Sequence, residues 1–202
     1  MAASTAASDT AQEILDVAER LVQTHGFNGF SYADIADAVG VTKASLHYHF
    51  ATKAELGRSL VARYHERFFA ALADGRAFDA PAKLRRYVQL YANVLKDDRM
   101  CLCGMLAADF ATLPRAMKGA VQRFFDENER WLADVLEQGL KSNQLQFKAP
   151  AIDVARMFIG ALEGAMLVAR SYGDPPRFAA AANWLLAQLG AAERSKAKTR
   201  RR

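Results

Sequence analysis

The stretch FSYADIADAVGVTKASLHYHFATKAEL, Phe30 to Leu56, decides how the rest of this chain is read. Ser31 is placed to cap a helix, with Asp34 in the capping-box position, although Asp is shorter than the usual Glu or Gln. That helix reads to about Val39 and turns Ile35, Ala36 and Val39 inward. Gly40 makes a turn, Thr42 caps again, and Lys43 to His49 form barely two helical turns. Leu46 and Phe50 stand four apart, so they share the face that meets the core. Thr52 then caps a longer helix that runs from Lys53 through Leu56, Leu60 and Tyr64 to about Leu72. Two short helices about a glycine turn, followed by aromatic, imidazole and hydroxyl side chains, are the layout that a DNA-reading helix-turn-helix requires.

Upstream, the first dozen residues are rich in Ala, Ser and Thr and read as a flexible arm over residues 1–9. From Thr10 an amphipathic helix carries Ile14, Leu15, Ala18, Leu21 and Val22 on one face, and Gly26 ends it. Downstream, helical patterns cover Pro81 to Lys96, Cys103 to Thr112, Arg115 to Ser142, Pro150 to Ser171 and Pro175 to Leu189. There is no internal repeat and no strand-like alternation. The expected fold class is all-α. An N-terminal three-helix helix-turn-helix domain, residues 10–56, is joined by a linker helix to a C-terminal helical domain, residues 57–190. A basic tail follows over residues 191–202.

Hydrophobic residues make up 51% of the 202 and charged residues 24%, a balance that excludes a disordered chain. No apolar run approaches the roughly 20 residues needed to span a bilayer. The start lacks the basic and apolar regions of a signal peptide, so a cytoplasmic location without membrane attachment is expected. The net charge of +5 is poor support for nucleic-acid binding, because Arg194, Lys196, Lys198, Arg200, Arg201 and Arg202 all fall in the tail. Within the reading unit, Lys43, Lys53 and Arg58 are balanced by Asp34, Asp37 and Glu55. Recognition of DNA must therefore rest on a few placed donors rather than on bulk charge.

The segment resembles the TetR family of bacterial repressors. The resemblance is carried by Ser31-x-x-Asp-Ile-Ala, by Ala38-Val39-Gly40-Val41-Thr42, by Leu46-His47-Tyr48-His49-Phe50 and by Thr52-Lys53-x-Glu55-Leu56. It covers about the first quarter of the chain, and beyond that only length and helical layout agree. The resemblance implies a homodimer on a palindromic double-stranded operator, released by a small-molecule inducer. It places Thr42, Lys43, Ala44 and Ser45 at the exposed start of the groove-entering helix. His47, Tyr48 and His49 fall at the family's aromatic contact positions, mostly to phosphate, Lys53 matches its phosphate-binding lysine, and Ser31 can donate to phosphate at another helix start. Ala44 departs from the glycine common there. Capping alone also accounts for Ser31, Thr42 and Thr52.

The same resemblance makes residues 57–190 the ligand-sensing and dimerising domain. Tyr91, Cys101, Met105, Phe110, Phe124, Trp131 and Phe158 are candidates to line a largely apolar pocket, with ordinary core packing as the alternative for each. Cys101 and Cys103 diverge on a helix or turn, which disfavours a mutual disulfide, and their LCGMLAADF context resembles relatives that sense oxidants or electrophiles. Gly160 and Gly164, with Leu167 and Trp184, are candidates for the dimer interface, with close packing inside one subunit as the alternative for the glycines. Glu163 is the lone acid in that apolar stretch and calls for a donor such as Arg170 or a partner-chain group. No Ser-His-Asp set, phosphate-binding glycine loop or metal cluster is present, and His25, His47, His49 and His65 all lie in or near the N-terminal unit. We therefore expect no enzyme, no cofactor and no metal. The competing reading is a helical small-molecule carrier or enzyme-like protein with only non-specific DNA affinity from the tail.

Overall fold

A short α2, Tyr32–Val39, and a shorter α3, Lys43–His49, stand between long helices. Before them lies α1, Ala2–His25, and after them α4, Lys53–Ala73. The chain continues through α5, Ala80–Lys96, and α6, Leu102–Ala108, to α7, Arg115–Lys141. It closes with α8, Ala151–Ser171, and α9, Pro175–Gln188. This is a computed structural model that describes residues 2–75 and 77–190, with side chains from residue 9 onward. Among the described residues every element is a helix, as the all-α expectation requires. The basic tail, 191–202, lies outside the described residues.

Two local expectations shift. The first helix begins at Ala2 rather than Thr10, so the backbone expected as an arm is helical. Its alanine content explains why, since alanine is the strongest helix former. The α6 helix stops at Ala108, short of Thr112, because Asp109 takes the C-cap place ahead of Pro114.

Packing divides the described residues into two units, one within 1–71 and 93–128 and the other within 72–92 and 129–190. In the first unit Ile14, Ala18 and Val22 of α1 are fully buried with Ile35 of α2, Leu46 of α3 and Leu106 of α6. Each of the larger ones, Ile14, Val22, Ile35, Leu46 and Leu106, contributes roughly 1.5–3 kcal/mol by leaving water. Phe27 and Phe30 meet edge to face at 6.2 Å. The Arg63 guanidinium of α4 fastens α1, lying 2.8 Å from both Asp16 and Glu19. Further along, Phe124 of α7 is the hub of an aromatic cluster with Tyr64 at 5.6 Å and Phe68 at 5.3 Å.

In the second unit Tyr87 of α5 is fully buried and lies nearly parallel to Trp131 at 5.8 Å, with Phe158 of α8 at 6.2 Å. The α8 and α9 helices pack on each other, and Phe158, Leu162 and Met166 of α8 and Phe178 and Ala182 of α9 are buried. Pro175 opens α9 at its first position, where the missing N–H costs no helical bond.

Candidate nucleic-acid interface

The turn between α2 and α3 is built from its caps. Gly40 ends α2 at φ 77°, a left-handed conformation that costs any residue with a Cβ roughly 1–2 kcal/mol. Its N–H donates to the Ala36 carbonyl at 2.9 Å. Thr42 then opens α3 by accepting the Ser45 N–H at 3.1 Å. That bond uses an oxygen lone pair and leaves the Thr42 hydroxyl proton free to face an anion.

Ser31 behaves differently. Its hydroxyl accepts the Ala33 N–H at 3.2 Å and gives its own proton to Asp34 at 2.8 Å, while its N–H reaches the same carboxylate at 2.6 Å. The capping box is complete despite the short Asp. Those bonds hold the Asp34 carboxyl below the usual carboxylate range, the Ser31 N–H contributing most. Ser31 can donate to a phosphate only by releasing Asp34.

On α3 the division of faces is sharp. Leu46 is fully buried and Phe50 nearly so, while Tyr48 is 82% exposed. Thr42, Lys43, Ala44 and His47 are exposed, and Ser45 and His49 are half-buried. Tyr48 and His49 support each other, ring centroids 5.2 Å apart at 81°. Tyr48 therefore projects from a helix whose opposite side is anchored and is no part of the core.

Lys53 is placed otherwise than the family pattern implies. Its Nζ donates to the Phe27 carbonyl at 2.6 Å and to the Phe30 carbonyl, and lies over the Phe30 ring at 4.0 Å and the Phe27 ring at 4.8 Å. Burial pushes its ammonium below the usual lysine range, against the opposing pull of Asp34 and Asp109. In this geometry Lys53 ties the start of α4 to the α1–α2 loop, and its charge is turned inward.

Other residues that shape this surface carry little signal in sequence. The Tyr32 hydroxyl donates to the Phe50 carbonyl at 2.9 Å and so fixes the turn after α3. Burial, and secondarily Glu55, push its phenol up to about 12. Its spacing with Ile35 and Ala36 on one helix face was the available clue. Asp109 takes the Phe27 N–H at 2.7 Å, and Asn28 donates to Thr112 at 2.8 Å. Both pairs join segments more than eighty residues apart, which no local pattern reveals.

The residues proposed for ligand and dimer contact fall as follows. Cys101, Met105, Phe110 and Phe124 belong to the first unit, and Tyr91, Trp131 and Phe158 to the second. Cys101 and Cys103 are buried, and the Tyr64 hydroxyl lies 3.8 Å from the Cys101 sulfur. Met105 and Phe110 are half-buried, and Lys118 stands over the Phe110 ring at 5.3 Å. Tyr91 is buried, and its hydroxyl lies 3.3 Å from Tyr87 and donates to Glu163 at 3.3 Å. Sequence reading named neither Tyr87 nor this partner for Glu163. Leu167 is 54% exposed and Trp184 62%, and a Cβ at Gly160 or Gly164 would meet nothing within 4 Å. These two glycines therefore do not serve close packing inside the subunit.

Comparison with known proteins now decides the family. Residues 14–60 match the family described as bacterial regulatory proteins, tetR family, and residues 80–185 match the tetracyclin repressor-like C-terminal domain. The chain belongs to the TetR family. A solved TetR-family transcriptional regulator from Agrobacterium tumefaciens is 33% identical, with a TM-score of 0.87 over 91% of this chain and 98% of that one. A TetR regulator from Legionella pneumophila is 31% identical, with a TM-score of 0.80 over 88% and 95%. The HTH-type transcriptional regulator TtgR of Pseudomonas putida is 38% identical over 60 residues, which are 30% of this chain and 29% of TtgR. The chain is thus a DNA-binding transcriptional regulator of TetR type. Its family is one of regulators rather than enzymes, and no described helix is long and apolar enough to cross a membrane.

Proposed function

We propose that this TetR-family chain is a cytoplasmic homodimeric repressor that holds a palindromic operator and leaves it when a small, largely apolar inducer binds. The observation that carries the reading is the exposed face of α3, where Tyr48 projects into water beside Thr42, Lys43, Ala44 and Ser45 while Leu46 anchors the opposite side. Thr42 keeps a free hydroxyl proton for phosphate while capping the helix. In a dimer the two α3 helices would enter successive major grooves roughly 34–36 Å apart.

Dimerisation is supported by an apolar stripe on α8, formed by Met157, Gly160, Gly164, Leu167 and Val168, with Trp184 of α9 also exposed. Exposed apolar side chains at that spacing call for a partner helix. Inducer binding is supported by the second unit's core, where the Tyr87 and Tyr91 hydroxyls and Glu163 set polar groups among Trp131 and Phe158. An apolar compound with one hydrogen-bonding group suits that chemistry. Thiol sensing is less favoured, because both cysteines are buried, and retained induction after Cys101→Ser and Cys103→Ser would remove it.

The test is a gel shift with the DNA upstream of the chain's own gene. A discrete complex that is lost in Tyr48→Ala, with helicity unchanged, supports the reading. Equal weak binding to every sequence, abolished by removing residues 191–202, would favour the non-specific basic binder instead.

A further inference from the structure

His47 is exposed on α3, yet the protein holds its ring from two sides. The Tyr32 ring of α2 lies against it, centroids 4.8 Å apart at 51°. Its Nδ1 is 3.1 Å from the Ala51 carbonyl oxygen. A carbonyl oxygen only accepts, so Nδ1 carries the proton in this contact. The turn that presents this carbonyl is itself fixed, because the Tyr32 hydroxyl donates to the adjoining Phe50 carbonyl at 2.9 Å.

The consequence falls on Nε2, the nitrogen left for an outside partner. In a neutral imidazole with Nδ1 protonated, Nε2 has a lone pair and no hydrogen. Phosphate oxygens are acceptors as well, so neutral His47 has nothing to offer the DNA backbone unless it abandons Ala51. The imidazolium resolves the conflict, since both of its nitrogens donate.

We propose that His47 of each subunit meets the operator backbone as an imidazolium, taking one proton per subunit from solvent as the complex forms, with Nδ1–H kept on Ala51 and Nε2–H given to a phosphate. The proposal rests on the reading of α3 as the DNA-facing helix. The titratable group packed on the ring is Tyr32 on α2, with Glu55 on α4 acting on the Tyr32 phenol, and on α3 itself Lys43 stands one turn earlier, with Tyr48 and His49 next in the chain. None of them can replace the missing donor on Nε2.

The sign follows from linkage. Phosphate favours the charged ring, so binding is coupled to proton uptake. The gain in affinity is therefore complete at acid pH and lost as pH rises. One proton per subunit limits the change to about tenfold per pH unit for each subunit, about a hundredfold for the homodimer.

The experiment measures affinity of the full chain by fluorescence anisotropy at constant ionic strength, from pH ~6 to ~9, a range that brackets the ordinary imidazole value. The probe is a duplex that the wild-type protein has selected from random sequence. His47→Gln places an amide that can donate without a proton, so its profile should be flatter, and the wild type should lose about tenfold more affinity than the variant across that range. Calorimetry in two buffers of different ionisation enthalpy should show proton uptake on binding by the wild type and less by His47→Gln. Equal slopes and equal uptake in the two proteins overturn the proposal, as does a flat wild-type profile with selection for adenine or cytosine, whose amino group would then occupy Nε2. Failure of the wild type to select any sequence refutes the reading of α3, and the proposal with it.

Discussion

Replacing Lys53 with Met separates two roles that the family pattern and the geometry assign to the same side chain. As placed, the ammonium gives hydrogen bonds to the Phe27 and Phe30 carbonyls and lies over both rings. Hydrogen bonds from a charged donor contribute about 1.5–3 kcal/mol each, and a cation over an aromatic face about 0.5–2. These contributions do not add, because one ammonium makes all of them and its desolvation opposes them. A net loss of about 2–3 kcal/mol is the reasonable figure. For a chain of this length that lowers the melting temperature by roughly 4–12 °C.

The assay pairs thermal unfolding at fixed protein concentration with operator affinity measured over a salt series. If Lys53 tethers the α1–α2 loop, its replacement lowers stability and leaves the slope of log affinity against log salt unchanged. If Lys53 instead neutralises one phosphate per subunit, its replacement does the reverse, reducing that slope by about 0.9 per subunit, or about 1.8 for the homodimer, with stability intact. Unchanged melting together with a reduced slope would refute the tether and restore the phosphate contact.

Gly57→Ala should destabilise the first unit, because the new Cβ would stand 2.5 Å from the Met117 sulfur and 2.9 Å from the Phe27 ring. Overpacking of about 1–3 kcal/mol outweighs the helix-propensity gain of about 0.5–1, and urea unfolding should register a net loss. Increased stability would show that α4 and α7 part easily at this point. Leu167→Glu should leave the subunit's helicity unchanged and convert dimer to monomer in sedimentation velocity; persistence of the dimer would move the interface away from this stripe. The stabilising effect of Asp34, measured as the difference in melting between wild type and Asp34→Ala, should be present above the ordinary carboxylate value of ~3.9 and vanish as pH falls through its lowered value. A difference that stays constant to strongly acid pH would show that the carboxylate charge is not what Ser31 holds.

What the sequence determined by itself is the local order around the reading helix. Caps at Ser31 and Thr42, the glycine turn at Gly40 and the inward pair Leu46 and Phe50 depend on neighbours within one or two turns, and the structure places each as its spacing requires. The exposure of Tyr48 follows from the same periodicity. Only the tertiary structure decided where flexible or distant groups go. Lys53 has a long stem that reaches either solvent or the carbonyls of a loop more than twenty residues away, and sequence spacing does not choose between them. Ser31 keeps its proton on Asp34, Tyr32 spans to Phe50, and Asp109 closes on Phe27 because folding brings those atoms together. The glycines of α8 likewise read as small residues in sequence, but only packing shows that nothing within their own subunit fills the space beside them. A helix's own period fixes which face turns inward, whereas the partner a side chain finds depends on what the rest of the chain carries to it.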